Sequence, residues 1–142
     1  MKANSPLYLD SNIFLNVIYR EAPLNEASGK LLEKVELGEL QALTSAVTIL
    51  EVKLVMARLG DWSAAGRAAA IIKDLKNLRI VPLNESTADL AADHVVEDKI
   101  TVHDAYHLAT AVTEKAEIFV TRDEELGVKI RRYIKVMAPE EL

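Results

Sequence analysis

The sequence predicts an α/β protein with a parallel β-sheet between two layers of helices. Short apolar runs of strand length alternate along the chain with longer segments in which apolar residues recur at helical spacing. This alternation favours parallel strands joined by crossover helices that cover both faces of the sheet. The chain has 142 residues, of which 50% are hydrophobic, so we expect a single domain over residues 1–142 with one core of ordinary size.

In the first half of the chain, apolar spacing predicts two strands and four helices. Gly38 and Gly60 mark where two of the helical patterns stop. A run of alanines between 64 and 70 indicates a close contact between two helices. The predicted elements are a strand at 7–9, a helix at 11–19, an amphipathic helix between Pro23 and Gly38, a strand at 40–43 and helices at 47–59 and 63–75.

The second half of the chain continues the alternation. Short apolar runs predict strands, and the segments between them have helical spacing. The predicted elements are a strand at 80–83, helices at 85–96 and 102–116, a strand at 118–120, a helix at 124–130 and a strand at 134–137.

The composition restricts the function classes. With 17 Lys and Arg against 22 Asp and Glu, the net charge is −5, which argues against binding nucleic acid by bulk positive charge alone. Divalent cations held by the acids would offset part of this charge, so a polyanionic substrate is not excluded. The absence of Cys excludes disulfides, thiolate metal sites and a Cys nucleophile. Residues 1–9 do not resemble a signal peptide and no apolar run could span a bilayer, so we expect a soluble, cytoplasmic protein that does not bind membranes.

Acidic residues lie at several predicted junctions between a strand and a helix, or close to a helix start: Asp10, Glu51, Asp104 and Asp123. Asp10 follows the first predicted strand directly, and Asp123 follows the fourth after two intervening residues. In an open parallel sheet, ligands bind beyond the carboxyl ends of the strands, where the strand order reverses. If these junctions share one edge of the sheet, the carboxylates form a site for a hard cation such as Mg²⁺ or Mn²⁺.

Each acid also has a structural interpretation. Asp10 and Asp123 are placed to cap the helices that follow them, and Asp104 has capping-box spacing with the threonine three residues earlier. Glu51 fits poorly, because an N-cap at Ser45 would place it well inside a helix on a mostly apolar face, with no obvious cationic partner nearby. A buried carboxylate without a partner is costly, and a cation or its water shell would satisfy it.

Short segments surround these acids in a fixed order: Leu9-Asp10-Ser11-Asn12, Thr44-Ser45 with Glu51-Val52, Asp104-Ala105 with Leu108-Ala109-Thr110-Ala111, and Val120-Thr121-Arg122-Asp123. With these segments the chain resembles the PIN-domain nucleases, in particular the VapC-type toxins of toxin-antitoxin pairs. Their order, their spacing and the total length all fit, so the resemblance covers essentially the whole chain.

The resemblance implies both a fold and a reaction. The fold would be a three-layer α/β/α arrangement whose parallel sheet has the strand order 3-2-1-4-5. The reaction would be RNA cleavage by a Mg²⁺-dependent endoribonuclease, with Mn²⁺ as a substitute, through a metal-activated water that leaves 5′-phosphate and 3′-hydroxyl ends. The acids would be a catalytic quartet with Asp10 and Asp104 as direct metal ligands and the other two as ligands or water-holders. Asn12 and Thr121 would orient this quartet.

The resemblance also implies partners. Besides the RNA substrate, a cognate antitoxin would place Arg or Lys against Asp10 and Asp104, because a guanidinium fits a carboxylate pair bidentately. Independently of the resemblance, the Ala-rich helix at 63–75 and the helix before it carry more apolar surface than a small sheet covers, which predicts a homodimer.

Residues beside the acids have two interpretations each. Arg122 and Lys53 either contact substrate phosphates or lie in solvent. His107, three residues after Asp104, is either a metal ligand or bonded to a neighbour, and the second is favoured because Mg²⁺ prefers oxygen ligands. Trp62 is expected to anchor packing or a dimer rather than to stack on a base.

Three alternatives stay open. A PIN-type RNA-processing nuclease without a toxin role would use the same residues. A phosphotransferase or phosphatase with Asp10 as its nucleophile would share the Mg²⁺ site, although Asn12 and the segment 121–123 fit those folds poorly. A non-catalytic interaction module, in which the acids are helix caps, would bind no metal.

Overall fold

The structure, a computed structural model, describes residues 5–142 and contains a five-stranded sheet in which every pairing is parallel. Residues 1–9 were expected not to form a signal peptide, and the first four of them lie outside the described residues. The strand order is β3-β2-β1-β4-β5, which confirms the expected order. The strands are β1 (Leu7–Leu9), β2 (Ala42–Ser45), β3 (Leu78–Val81), β4 (Ile118–Val120) and β5 (Lys135–Met137).

Helices cover both faces of the sheet, as the alternating pattern predicted. Successive residues of a strand point to opposite faces, so Leu7 and Leu9 join one buried apolar cluster and Tyr8 joins the other. The first cluster includes side chains of the helices before residue 75, and the second includes side chains of the helices after residue 84. The helices are α1 (Ser11–Ile18), α2 (Leu24–Glu36), α3 (Ala46–Arg58), α4 (Ala65–Asp74), α5 (Glu85–Asp98), α6 (Val102–Thr113) and α7 (Glu124–Ile130).

The observed bounds of β1, β4 and α7 match the predicted ones, whereas β2 and β3 are shifted by two residues. The prediction of β3 at 80–83 was wrong at its end because Pro82 has no N–H to donate to a sheet. The prediction of β2 at 40–43 stopped too early because Thr44 and Ser45 are polar. Both are fully buried and pair with β3, and the Thr44 hydroxyl donates a hydrogen bond of 2.7 Å to the Leu9 carbonyl.

The alanine run packs inward. Ala65, Ala68 and Ala69 of α4 are buried, which confirms the predicted close helix contact. Their burial also removes much of the apolar surface on which the homodimer prediction rested. The exposed apolar side chains of α3, α4 and the connection between them are Leu50, Leu54, Leu59, Trp62 and Ile71.

The order of the sheet determines where a site can form. From β1 the chain passes to β2 on one side, and β4 later pairs with β1 on the other side, with Leu9 opposite Val120. The carboxyl ends of β1 and β4 therefore meet at the point where the strand order reverses. Within residues 5–142, no helix has the length and apolar character needed to cross a membrane.

Candidate active site

Asp10 lies at the carboxyl end of β1, buried and held by donors from two parts of the chain. Its Oδ1 accepts the backbone N–H of Ser11 at 2.7 Å, so Asp10 does act as the N-cap of α1. Its Oδ2 accepts the hydroxyl of Thr121 at 2.7 Å and the Asn12 amide at 3.4 Å. The Asn12 amide also lies 3.2 Å from the Thr121 hydroxyl. Asn12 and Thr121 thus contact Asp10 in the way that the orienting role requires.

Asp123 lies beyond β4 and is joined to Asp10 through one hydroxyl. The backbone N–H of Asp123 donates to the Thr121 hydroxyl oxygen at 3.0 Å, and the same hydroxyl donates to Asp10. The Asp123 carboxylate caps α7 by accepting the backbone N–H of Leu126 at 3.0 Å. The capping interpretation of Asp123 is therefore correct, and it leaves the residue exposed at the rim of the pocket.

Asp104 lies in the first turn of α6, where Thr101 is the capping residue. The Thr101 hydroxyl accepts the backbone N–H of Asp104 at 3.2 Å. Burial raises the pKa of the Asp104 carboxyl, the negative charge of Asp10 raises it further, and Asp123 adds to this effect. Asp104 is thus close enough to both acids for their negative charges to disfavour its ionised form.

Glu51 lies inside α3, as an N-cap at Ser45 predicted, but it is not without a partner. Its Oε1 lies 2.5 Å from Nε2 of His107, and its Oε2 accepts the Ser11 hydroxyl at 3.2 Å. Burial would raise the pKa of Glu51, but the hydrogen bond and charge of His107 hold it below its usual value. The expectation that Glu51 has no cationic partner nearby was therefore wrong, because α6 supplies His107.

His107 is fully buried in α6 and contacts both acids and a tyrosine. Its Nδ1 lies 2.5 Å from the Tyr8 hydroxyl, and its Nε2 lies 3.4 Å from Oδ1 of Asp10. Burial lowers the pKa of His107, but the charges of Asp10, Glu51 and Asp104 together raise it above its usual value. The favoured interpretation of His107 as a residue bonded to a neighbour agrees with these contacts.

Tyr8 and Ser11 were not identified from the sequence. Tyr8 is a tyrosine inside a short strand with 0% exposure, and a buried phenol needs a hydrogen-bond partner. The need of a buried Tyr8 for a hydrogen-bond partner was the feature of the sequence that could have indicated a polar group behind the pocket. A serine directly after Asp10 is common at helix starts, so Ser11 gave no such signal.

The Arg122 side chain is directed away from the acids. Its guanidinium donates to the Leu24 carbonyl at 2.8 Å and to the Ser28 hydroxyl at 3.0 Å, and it also contacts Asn16 and Glu140. The backbone N–H of Arg122 donates to Oδ1 of Asn12 at 3.3 Å. Arg122 therefore supports the site through its main chain, and its guanidinium joins α1, α2 and the C-terminal segment.

The acidic side chains and His107 do not form a preformed metal site. Within residues 5–142, no group of three or more His, Asp or Glu side chains is arranged so that it could hold a metal ion. The chemistry of the donors nevertheless suits a hard cation, because carboxylate oxygens are the preferred ligands of Mg²⁺ and Mn²⁺.

Fold and site together define an α/β/α protein with an acidic pocket at the switch point of a parallel sheet. A family model described as the PIN domain matches residues 7–130, and the chain belongs to the PIN-domain family. No curated protein gives a significant sequence match.

Several solved structures have the same fold. FitAcB from Neisseria gonorrhoeae is 25% identical, with a TM-score of 0.70, and the alignment covers 96% of this chain and 99% of that chain. VapBC2 from Rickettsia felis, bound to a DNA fragment from its promoter, is 15% identical, with a TM-score of 0.70 and coverage of 93% and 97%. VapC20 of Mycobacterium tuberculosis, described as a toxin that cleaves the sarcin-ricin loop, is 15% identical, with a TM-score of 0.70 and coverage of 86% and 93%. At 15% identity, the last two similarities support the fold.

Proposed function

We propose that residues 1–142 are a single PIN-type nuclease domain that acts as a cytoplasmic, Mg²⁺-dependent endoribonuclease, the toxin of a toxin-antitoxin pair. The observation that carries the proposal is the placement of the acids at the switch point of the sheet, where Asp10 follows β1, Asp123 follows β4 and Asp104 lies in the first turn of α6. Family membership supports a nuclease, and the similar structures that are described as a toxin-antitoxin complex and as a toxin support the biological role.

Asp10 and Asp104 would hold the ion, with Asp123 at the rim as a further ligand or water-holder. Mn²⁺ would substitute for Mg²⁺, because both prefer oxygen ligands. When bound, such an ion lowers the pKa of a coordinated water and shields the charge of a phosphodiester.

The chain's own residues hold the ligands in place. The Thr121 hydroxyl and the Asn12 amide restrain the Asp10 carboxylate, while Ser11 and His107 restrain Glu51. A groove of about 580 Å³ lies beside Asp123, along α7 and β5. Its lining includes Arg131 as well as Glu124, Glu140 and Glu141, and Arg131 would be the group that contacts a phosphate of an RNA strand there.

A processing nuclease without a toxin role would use the same groups, and only the biological partner separates the two roles. The proposed partners are an antitoxin whose Arg or Lys enters the acidic pocket and a second copy of the chain. The second copy would pack on the exposed apolar side chains of α3 and its connection to α4, which include Leu50, Leu54 and Trp62.

The capping alternative is supported by one observation, since Asp10 and Asp123 both accept N-cap hydrogen bonds. At Asp104 one half of the expected capping box is present, because the Thr101 hydroxyl accepts the Asp104 backbone N–H. A phosphotransferase with Asp10 as its nucleophile is disfavoured because the family model that matches residues 7–130 is the PIN domain.

The test is RNA cleavage by the purified protein with Mg²⁺ or Mn²⁺, with and without a chelator. Asp10→Asn should reduce the rate by about a thousandfold, because it weakens the ligand set that activates water. Asp89→Asn, which changes an exposed acid on α5, is the matched control and should retain full activity. Cleavage that persists in the chelator and in Asp10→Asn would refute the proposal.

A further inference from the structure

A continuous line of hydrogen bonds runs from the sheet to the pocket. The backbone N–H of Ser45 donates to the Tyr8 oxygen at 3.1 Å, the Tyr8 hydroxyl lies 2.5 Å from Nδ1 of His107, and Nε2 of His107 lies 2.5 Å from Glu51. Tyr8 and His107 are both 0% exposed. The line crosses β2, β1, α6 and α3, so it joins four elements behind the pocket.

The hydrogen-bond partners of Tyr8 determine the tautomer of His107, that is, whether Nε2, the nitrogen that faces Glu51, carries a proton. Because Ser45 donates to the Tyr8 oxygen, the Tyr8 O–H is available to donate to Nδ1. Nδ1 is then an acceptor, and the ring proton lies on Nε2, toward Glu51. A fully protonated ring would also carry a proton on Nε2, so Glu51 faces an N–H donor in either charge state.

Both oxygens of Glu51 have a side-chain partner, His107 on one and Ser11 on the other. The Glu51 carboxylate is therefore held in one orientation by groups from α6 and α1. Nε2 of His107 also lies 3.4 Å from Oδ1 of Asp10, so an N–H donor occupies the space where a cation shared by Glu51 and Asp10 would lie.

The buried polar groups of this line lie on one side of the pocket. Placing a phenol and an imidazole in an apolar core costs free energy that a leucine or phenylalanine would not. In this protein both groups lie behind one carboxylate, and Nε2 of His107 is positioned between Glu51 and Asp10, at 2.5 Å and 3.4 Å.

We infer that His107, fixed by Tyr8, is a positioning residue that holds Glu51 beside the cation rather than on it. This inference rests on the proposed function and assigns a role within that site. Glu51 would then act on water or substrate, and the ion would be held by the remaining acids.

Mn²⁺ affinity separates this role from the alternative. If Glu51 were a metal ligand, loss of its partner in His107→Leu should weaken Mn²⁺ binding about 10- to 100-fold. If Glu51 is held beside the ion, the same change should leave the affinity within about threefold, or tighten it, while kcat falls on the order of 100-fold through misplacement of Glu51. KM for RNA should change little.

Conservative variants provide the rescue. His107→Gln keeps an N–H donor near the position of Nε2 and should recover most of the kcat that His107→Leu loses. Tyr8→Phe removes only the hydroxyl and should lower kcat with Mn²⁺ affinity unchanged, which keeps the test valid if His107→Leu does not fold.

His94 is the matched control, because it is also a buried histidine, with Nδ1 2.8 Å from Asp98, but it lies outside the pocket. His94→Leu should lower thermal stability without changing kcat measured below the unfolding transition.

The measurements are calorimetric Mn²⁺ titration, RNA cleavage kinetics and ¹H–¹⁵N spectra of the histidine rings. The spectra of the metal-free protein should show the His107 proton on Nε2 and a shifted signal in Glu51→Gln. A loss of Mn²⁺ affinity of about 10-fold or more in His107→Leu, or equal kcat in His107→Leu and wild type, would overturn the positioning role and leave the nuclease standing. Absence of both Mn²⁺ binding and cleavage in the wild type would refute the proposed function and the positioning role with it, and the ring spectra would still report whether Nε2–H faces Glu51.

Discussion

Replacing Thr121 with Val tests whether one hydroxyl holds the pocket together. The Thr121 hydroxyl donates to Asp10 at 2.7 Å, accepts the backbone N–H of Asp123 at 3.0 Å and lies 3.2 Å from the Asn12 amide. Valine has the same shape and fills the same space, but it can replace none of these bonds. Since Thr121 and Asp10 are both buried, water compensates poorly for the loss.

The expected cost follows from the kind of bond that is lost. A hydrogen bond to a charged group contributes about 1.5–3 kcal/mol, and the unpaired Asp123 N–H adds to this, so Thr121→Val should lower the free energy of unfolding by about 2–4 kcal/mol. Mn²⁺ affinity should fall about 10- to 100-fold, because Asp10 loses the group that orients it. Urea denaturation in a chelator measures the first effect and Mn²⁺ titration the second. Thr113→Val, at an exposed position in the last turn of α6, should change stability by less than about 0.5 kcal/mol. A Thr121→Val protein as stable as this control, with unchanged Mn²⁺ affinity, would refute the orienting role.

Two further predictions concern the charge of the pocket. The folded protein raises the pKa of Asp104, so this group stabilises the fold below its unfolded pKa and loses that contribution as the pH rises through its folded pKa. At neutral pH, Asp104→Asn should therefore leave the metal-free protein at least as stable as the wild type. Mn²⁺ should stabilise the variant less than it stabilises the wild type. Urea denaturation with and without Mn²⁺ measures both effects, and a loss of about 1 kcal/mol with an unchanged response to Mn²⁺ would indicate a capping role instead. A co-encoded antitoxin should lose affinity when Asp10 and Asp104 are both changed to Ala and should compete with Mn²⁺; binding that ignores both changes in calorimetry would exclude inhibition directed by charge.

Much of the fold could be predicted because its determinants are local. The apolar runs at 7–9 and 118–120 are continuous and buried on both faces, which is typical of central strands of a parallel sheet. The positions of Asp10 and Asp123 followed from these strands, because each acid comes directly after a strand end or within a few residues of it. The strand order itself came from the resemblance, since alternation alone fits several orders.

The partners of the site residues could not be predicted because they come from distant parts of the chain. Glu51 and His107 are separated by 56 residues, and the spacing of residues on the helix face of Glu51 carries no signal of a partner from another helix. The guanidinium of Arg122 was expected near phosphate or solvent, yet it donates to the Leu24 carbonyl, 98 residues away. Spacing within one helix or strand does not determine such contacts, which depend on how helices pack across the sheet.

The acids of the pocket share one location but not one electrostatic environment, and this difference bears on how the fold tolerates them. Several carboxylates close together would destabilise a fold without a cation if all were left to repel one another. In this protein, hydroxyl, amide and imidazole donors hold Asp10 and Glu51, whereas Asp104 has its pKa raised by burial and by its acidic neighbours. The unfavourable charge is thus concentrated on one half-buried group at the start of α6, opposite the carboxyl end of β1. A cation bound there would gain the most attraction at the smallest cost to the rest of the structure. Asp104 should therefore contribute most to the affinity for the ion, and the other acids should determine the geometry in which the ion is held.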